Sequence, residues 1–205
     1  MCALRPHGDV QLGFCLLMAD IEPLKPSNTG WLVADMVPHT FAFSWARTET
    51  DRALLALLAD PAWQPYVVFP GEFVVPHRVV HALASDDAAS SLGKRPLFIL
   101  LDGTWAEARK MFRKSPYLDA FPVLSLAPPQ MTAYQLRRSG RDDHFCTSEV
   151  AALCLALAGE VHAAQTLQAY LGVYTHRYLR AKHQLPVDPQ DAAHAQLLAL
   201  TSRTP

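Results

Sequence analysis

The sequence predicts an α/β protein, a mostly parallel sheet flanked by helices, and three observations carry that expectation. Short apolar runs alternate along the chain with segments of helical periodicity. One unit, PLFILLDGTWAEARKMFRKSP from Pro96 to Pro116, passes from strand to helix within a few residues. The C-terminal helical segments have no strand between them, so residues 161–205 form a helical layer.

The elements follow in order. Residues 1–11 are polar, and LGFCLLMA at 12–19 is the first strand. A loop with two prolines leads to Ser27 or Asn28, either of which can cap a helix over 29–36 that Pro38 ends. Residues 41–46 alternate aromatic and small side chains, a second strand, and 50–59 carry leucines at helical spacing. A third strand spans 66–69, stopped by Pro70 and Gly71. Pro76 breaks the apolar stretch 73–83, which fits neither helix nor strand, and 85–95 is a surface loop.

The run 97–101 is too short for most helices and lies between Pro96 and Gly103, so it is a buried strand. Thr104 and Glu107 have capping-box spacing for the helix that follows. Asp102 therefore sits at the carboxyl end of a strand beside a helix N-terminus, where open α/β sheets bind ligands. Trp105, in the first helical turn, is placed to line a crevice rather than a core. FPVLSL at 121–126 is a further strand, and 127–145 is a long irregular segment containing Arg137 and Arg138. Helices over 147–158 and 161–182 follow, with a last one starting at Asp188-Pro189 and ending near Thr201.

Half of the 205 residues are hydrophobic, which suits one large domain, and the formal net charge is −1. A polyanion site must then be a local patch. Arg109, Lys110, Arg113 and Lys114 form a cationic ridge on the helix after Trp105. Arg137 and Arg138 can extend it, and Arg177, Arg180 and Lys182 form a second cluster. Such a ridge beside Asp102 favours phosphate contact and RNA binding, although basic runs are more often solvated faces. The helix N-terminus at Thr147-Ser148 can hold a carboxylate or can simply be capped by its own hydroxyls. The loops at 25–30, 102–105 and 145–149 converge on one crevice if their strands are parallel neighbours.

Cys2, Cys15, Cys146 and Cys154 form no C-x-x-C pair and are expected as free thiols. No metal site is expected: the nine histidines are scattered, and His77 and His81 share a helix face only if Pro76 permits one. Glycine-rich phosphate loops and a nucleophile elbow are absent. No apolar run reaches membrane-span length, so a cytoplasmic, membrane-free protein with no obligate protein partner is expected.

LLDGTWAEARKMFRKSPYL carries the D-x-T-W signature of the DTW-domain proteins. The resemblance extends to EPLKPSNTGWLVADMVP, YVVFPGE, AYQLRR and FCTSEVAAL, and so covers nearly the whole chain as one DTW domain. It implies an S-adenosylmethionine-dependent tRNA-uridine aminocarboxypropyltransferase. Such enzymes move the 3-amino-3-carboxypropyl group to N3 of a variable-loop uridine and release methylthioadenosine. It also implies kinship with the SPOUT fold and a C-terminal trefoil knot, with 127–145 threading beside the cofactor. Asp102, Trp105 and Thr104 become the catalytic set, Asp102 as general base or orienting acceptor. A free aspartate, with a pKa of about 3.9, is too weak a base unless burial raises it. Cofactor contacts fall to Thr29, Pro70, Trp105, Leu124, Ser125, Leu126, Thr147 and Ser148. tRNA contacts fall to Arg109, Lys110, Arg113, Lys114, Arg137 and Arg138. One departure stands out: the family's N-terminal cysteine cluster is reduced to Cys2, so residues 1–11 are expected to be its remnant in a shortened chain. The rival expectations are a SPOUT-like RNA methyltransferase and a non-catalytic RNA-binding module.

Overall fold

The computed structural model describes residues 10–83, 93–126, 145–186, 188 and 190–202. The chain divides into two compact units, one of residues 10–25 and 39–129, the other of 1–9, 26–38 and 130–205. The strands are β1 (Gly13–Met18), β2 (Thr40–Ser44), β3 (Trp63–Val68), β4 (Val79–Val80), β5 (Arg95–Asp102) and β6 (Val123–Leu124). The helices are α1 (Gly30–Met36), α2 (Arg52–Ala59), α3 (Trp105–Arg113), α4 (Thr147–Leu157), α5 (Val161–Lys182) and α6 (Ala192–Thr201).

All six strands lie in one sheet of the first unit, ordered β2-β1-β5-β3-β6-β4, and every neighbouring pair is parallel. A parallel sheet is covered on both faces, so its inner strands are apolar throughout. β1 (GFCLLM) is buried at all six positions and β5 at 97–100. The edge strand β2 is only partly buried. Chain order explains where the sheet reverses. β1 turns outward to β2, and β3 runs on to β4 in the other direction. β5 then returns to fill the gap between β1 and β3. A site at such a reversal opens at the carboxyl ends of the strands, and Asp102 is the carboxyl end of β5.

Several expected boundaries shift for physical reasons. β3 begins at Trp63 rather than Tyr66 because the indole is core: it fills the space left by Gly13, where a Cβ would stand 2.9 Å from the ring. Within 73–83, two short 3-10 turns lead into the two-residue β4, which is a strand only through its pairing with β6. His77 and His81 therefore share no helix face. α6 starts at Ala192 with Asp191 as its cap, and Asp188 instead accepts the Gln190 N–H at 3.1 Å. The irregular segment expected at 127–145 lies outside the described residues except for Phe145.

The second unit is helical. α5 packs against α1, α4 and α6, and α1 also packs against α4. Tyr170 Oη on α5 donates to Asp35 Oδ2 of α1 at 2.9 Å. Asp191 Oδ2 meets His194 Nδ1, and Arg177 Nε donates to His194 Nε2 at 2.9 Å. Arg180 Nε donates to the Pro186 carbonyl. Two members of the second basic cluster are thus committed to holding α6 and the end of α5.

Gly103 links β5 to α3. A Cβ there would lie 3.1 Å from both Ala19 Cβ and Glu107 Cβ. Gly103→Val should therefore lower the unfolding free energy by about 1–3 kcal/mol, seen as a lower denaturant midpoint at unchanged slope.

Candidate active site

In the sheet unit the site grows from the end of β5. Asp102 is 2 % exposed. Its carbonyl accepts the Ala19 N–H at 2.8 Å, which latches the chain leaving β1 to the chain leaving β5. The latch continues outward. The Ala19 carbonyl accepts from Glu22 N–H at 2.9 Å, and the Glu22 carbonyl accepts from Lys25 N–H at 3.1 Å. The Glu22 carboxylate is wholly buried and meets Lys25 Nζ at 2.6 Å. A buried carboxylate requires such a partner, because an unpaired charge there would cost several kcal/mol. Sequence reasoning passed over this pair as residues, although its three-residue spacing before the proline was visible.

Past Gly103, Thr104 caps α3. The Thr104 N–H and hydroxyl donate to Glu107 Oε2 at 2.7 and 2.6 Å, and Thr104 Oγ1 accepts the Glu107 N–H at 3.3 Å. The capping box is as expected, and it commits the Thr104 hydroxyl to the helix rather than to a reacting group. Trp105 is half-buried and packs one side against the core cluster. Its ring stacks on Phe69 at 5.4 Å and 13°, and Phe69 stacks on Phe112 at 4.4 Å and 6°. Phe73 meets Trp105 edge-on at 5.4 Å.

Ser125 joins the neighbouring strand ends. Ser125 Oγ accepts Gly71 N–H at 3.0 Å, Ser125 N–H donates to the Val80 carbonyl at 2.9 Å, and Ser125 O lies 3.1 Å from His81 Nδ1. The Leu124 carbonyl accepts Phe69 N–H at 3.2 Å. The Leu124 carbonyl and the Ser125 amide are thus tied to Phe69, just after β3, and to Val80 of β4. Leu126 is half-buried and Pro70 exposed. Arg109, Lys110, Arg113 and Lys114 are all exposed on α3, and none pairs with a described carboxylate. Arg137 and Arg138 lie outside the described residues.

In the helical unit, the loop before α1 meets the start of α4. Asn28 Oδ1 accepts Gly30 N–H at 2.8 Å, while Tyr174 Oη donates to the Pro26 carbonyl. Thr29 is the N-cap of α1, but its hydroxyl does not cap that helix. Instead Thr29 Oγ1 accepts the Ser148 N–H at 3.2 Å. Cys146 is the N-cap of α4 in a capping box with Glu149, whose Oε2 accepts the Cys146 N–H at 2.8 Å. Ser148 Oγ is left without a hydrogen-bond partner although the residue is 1 % exposed. An orphaned buried hydroxyl costs about 1–3 kcal/mol, so this atom marks the place where a polar ligand group would be satisfied.

The DTW domain family model matches residues 1–179. The chain belongs to the DTW-domain family. Membership is consistent with a tRNA-modifying enzyme acting on an RNA substrate. No solved structure matches this DTW domain. Among its described residues no group of three or more His, Cys, Asp or Glu side chains could hold a metal, and no helix is long and apolar enough to cross a membrane.

Burial, followed by the nearby Glu149 charge, pushes the Cys146 thiol up to about 12, and burial alone pushes Cys15 up to about 12 and raises Cys154 further. The thiolate is the reactive form, so burial lowers the reactivity of these cysteines in the folded DTW domain despite the helix N-terminus beside Cys146. Mass mapping after iodoacetamide treatment at pH 8 should find Cys15, Cys146 and Cys154 unmodified in the native protein and alkylated in denaturant.

Proposed function

We propose that this DTW-domain protein transfers the 3-amino-3-carboxypropyl group of S-adenosylmethionine to N3 of a uridine in tRNA. The observation that carries the proposal is the buried carboxylate of Asp102 at the carboxyl end of β5, at the reversal point of an all-parallel sheet. A uridine N3–H must lose its proton before the nitrogen can attack carbon. Asp102 is the acceptor for that proton, and burial keeps bulk water from competing for it. S-adenosylmethionine, when bound, would supply the carbon electrophile beside its sulfonium, with methylthioadenosine as the leaving group when that C–S bond breaks.

The remaining residues bind and orient. The orphaned Ser148 hydroxyl, at the positive end of α4, suits the carboxylate of the aminocarboxypropyl arm, with Thr147 beside it. Thr29 fixes the Ser148 amide and so sets the direction of that terminus. The indole of Trp105, held by Phe69 and Phe73, offers the apolar wall an alkyl arm needs. Pro70, Ser125 and Leu126 border the same sheet edge as Asp102. Thr104 acts through the cap by fixing the turn between Asp102 and Trp105. Arg109, Lys110, Arg113 and Lys114 meet RNA phosphates. A SPOUT-like knotted C-terminal half belongs to the same proposal.

Nucleoside mass spectrometry of tRNA incubated with protein and S-adenosylmethionine is the direct test. A four-carbon amino acid adduct on uridine is expected; a one-carbon adduct would instead make the protein a methyltransferase. Asp102→Asn should lower transfer by about 10²–10⁴-fold, the usual loss for a general base, while calorimetric cofactor affinity stays within about threefold. Ser148→Ala should weaken cofactor binding roughly tenfold or more, the equivalent of one hydrogen bond to a charged group. Full transfer by Asp102→Asn removes this carboxylate from the chemistry.

A further inference from the structure

Phe73 follows β3 in the loop at the carboxyl edge of the sheet and is 40 % exposed. It is not a loose side chain. It meets Phe69 edge-on at 6.1 Å and Trp105 edge-on at 5.4 Å, both of which pack against the core. The Arg109 guanidinium carbon stands 4.9 Å over the Phe73 ring centroid, inside cation–π range. Arg109 lies one turn along α3 from Trp105 and is itself exposed. The layers therefore run outward from the core as Phe69, Trp105, Phe73 and a delocalised planar cation, all within one unit.

We infer that Phe73 and Arg109 form a stacking platform for an unpaired nucleobase of the RNA substrate. Nucleobases stack on aromatic rings and on guanidinium planes, which is how proteins hold single-stranded loops. Charge selects nucleic acid over a neutral aromatic ligand. Lys110 and Arg113 are exposed on the same helix, so a base stacked here carries its phosphates toward cations. A lysine in place of Arg109 would keep the charge and lose the planar face. This platform rests on the RNA-modifying function proposed above and adds to it a preference for unpaired over duplex RNA.

Fluorescence anisotropy with the full chain tests it, using a labelled uridine-rich 12-nucleotide RNA and the same strand annealed to its complement. Phe73→Leu and Arg109→Lys should each weaken single-strand binding about tenfold, the loss of one stacked base, and leave duplex binding within about twofold. Both side chains reach solvent; if Phe73→Leu shifts the melting temperature, Arg109→Lys carries the test alone. Equal weakening on single strand and duplex, or unchanged single-strand affinity in Arg109→Lys, overturns the platform. So does a loss of S-adenosylmethionine affinity with RNA affinity intact, since the stack would then serve the cofactor. Transfer assays on the same samples separate the two proposals. A parent protein that transfers while its platform variants bind RNA normally keeps the enzyme and loses the platform. A parent that binds single strands through Phe73 and Arg109 without transferring keeps the platform and loses the enzyme.

Discussion

A strand buried on both faces can place a polar side chain only at its ends. β5 obeys that constraint: its interior is apolar from 97 to 100, and its first charged position after Arg95 is Asp102. Because β5 is the strand inserted between β1 and β3, its end is also the centre of the sheet's carboxyl edge. The acid is thus fixed by strand length and by topology together. The loops around it have little freedom, since Ala19, Glu22 and Lys25 are tied to it by successive main-chain hydrogen bonds. Moving Asp102 would require moving the sheet.

The second layer of control is aromatic. A half-buried indole such as Trp105 is steadier when a second ring backs it, and stacked pairs add about 0.5–1.5 kcal/mol beyond their buried area. Phe69, Phe112 and Phe73 supply that backing. The same packing leaves Phe73 at the surface and draws Arg109 over it. Charge follows the geometry rather than the composition. A net charge of −1 gives no long-range pull on a polyanion, whereas four cations on nine helical residues and the adjoining cap act within about 10 Å, the Debye length at moderate salt.

Local signals in the sequence carried the strand-to-helix unit almost whole. The run at 97–101, the Thr104–Glu107 spacing and the helix over 161–182 needed only periodicity and capping chemistry, which act over a few residues. The family too was legible, in the D-x-T-W stretch and the motifs around it, and the matched range 1–179 agrees. What was hidden depends on partners distant in the chain. β4 has two residues and exists because β6 lies beside it. Pro65 masked the start of β3, which Trp63 fixes by packing on Gly13. Thr29 looks like an ordinary cap, yet its hydroxyl serves a helix that begins more than a hundred residues later. Phe73 sat in a stretch whose proline spoiled every periodic template.

That last hydroxyl exchange bears on function more than its size implies. Thr29 satisfies the Ser148 amide, while the Ser148 hydroxyl remains buried with no partner. Folding alone gives no reason to keep it, since a buried hydroxyl without a hydrogen bond is worse than a methyl group by about 1–3 kcal/mol. Stability would favour alanine at position 148. Serine there makes physical sense when a ligand supplies the missing acceptor, and a carboxylate is the group that the positive end of an eleven-residue helix attracts most strongly.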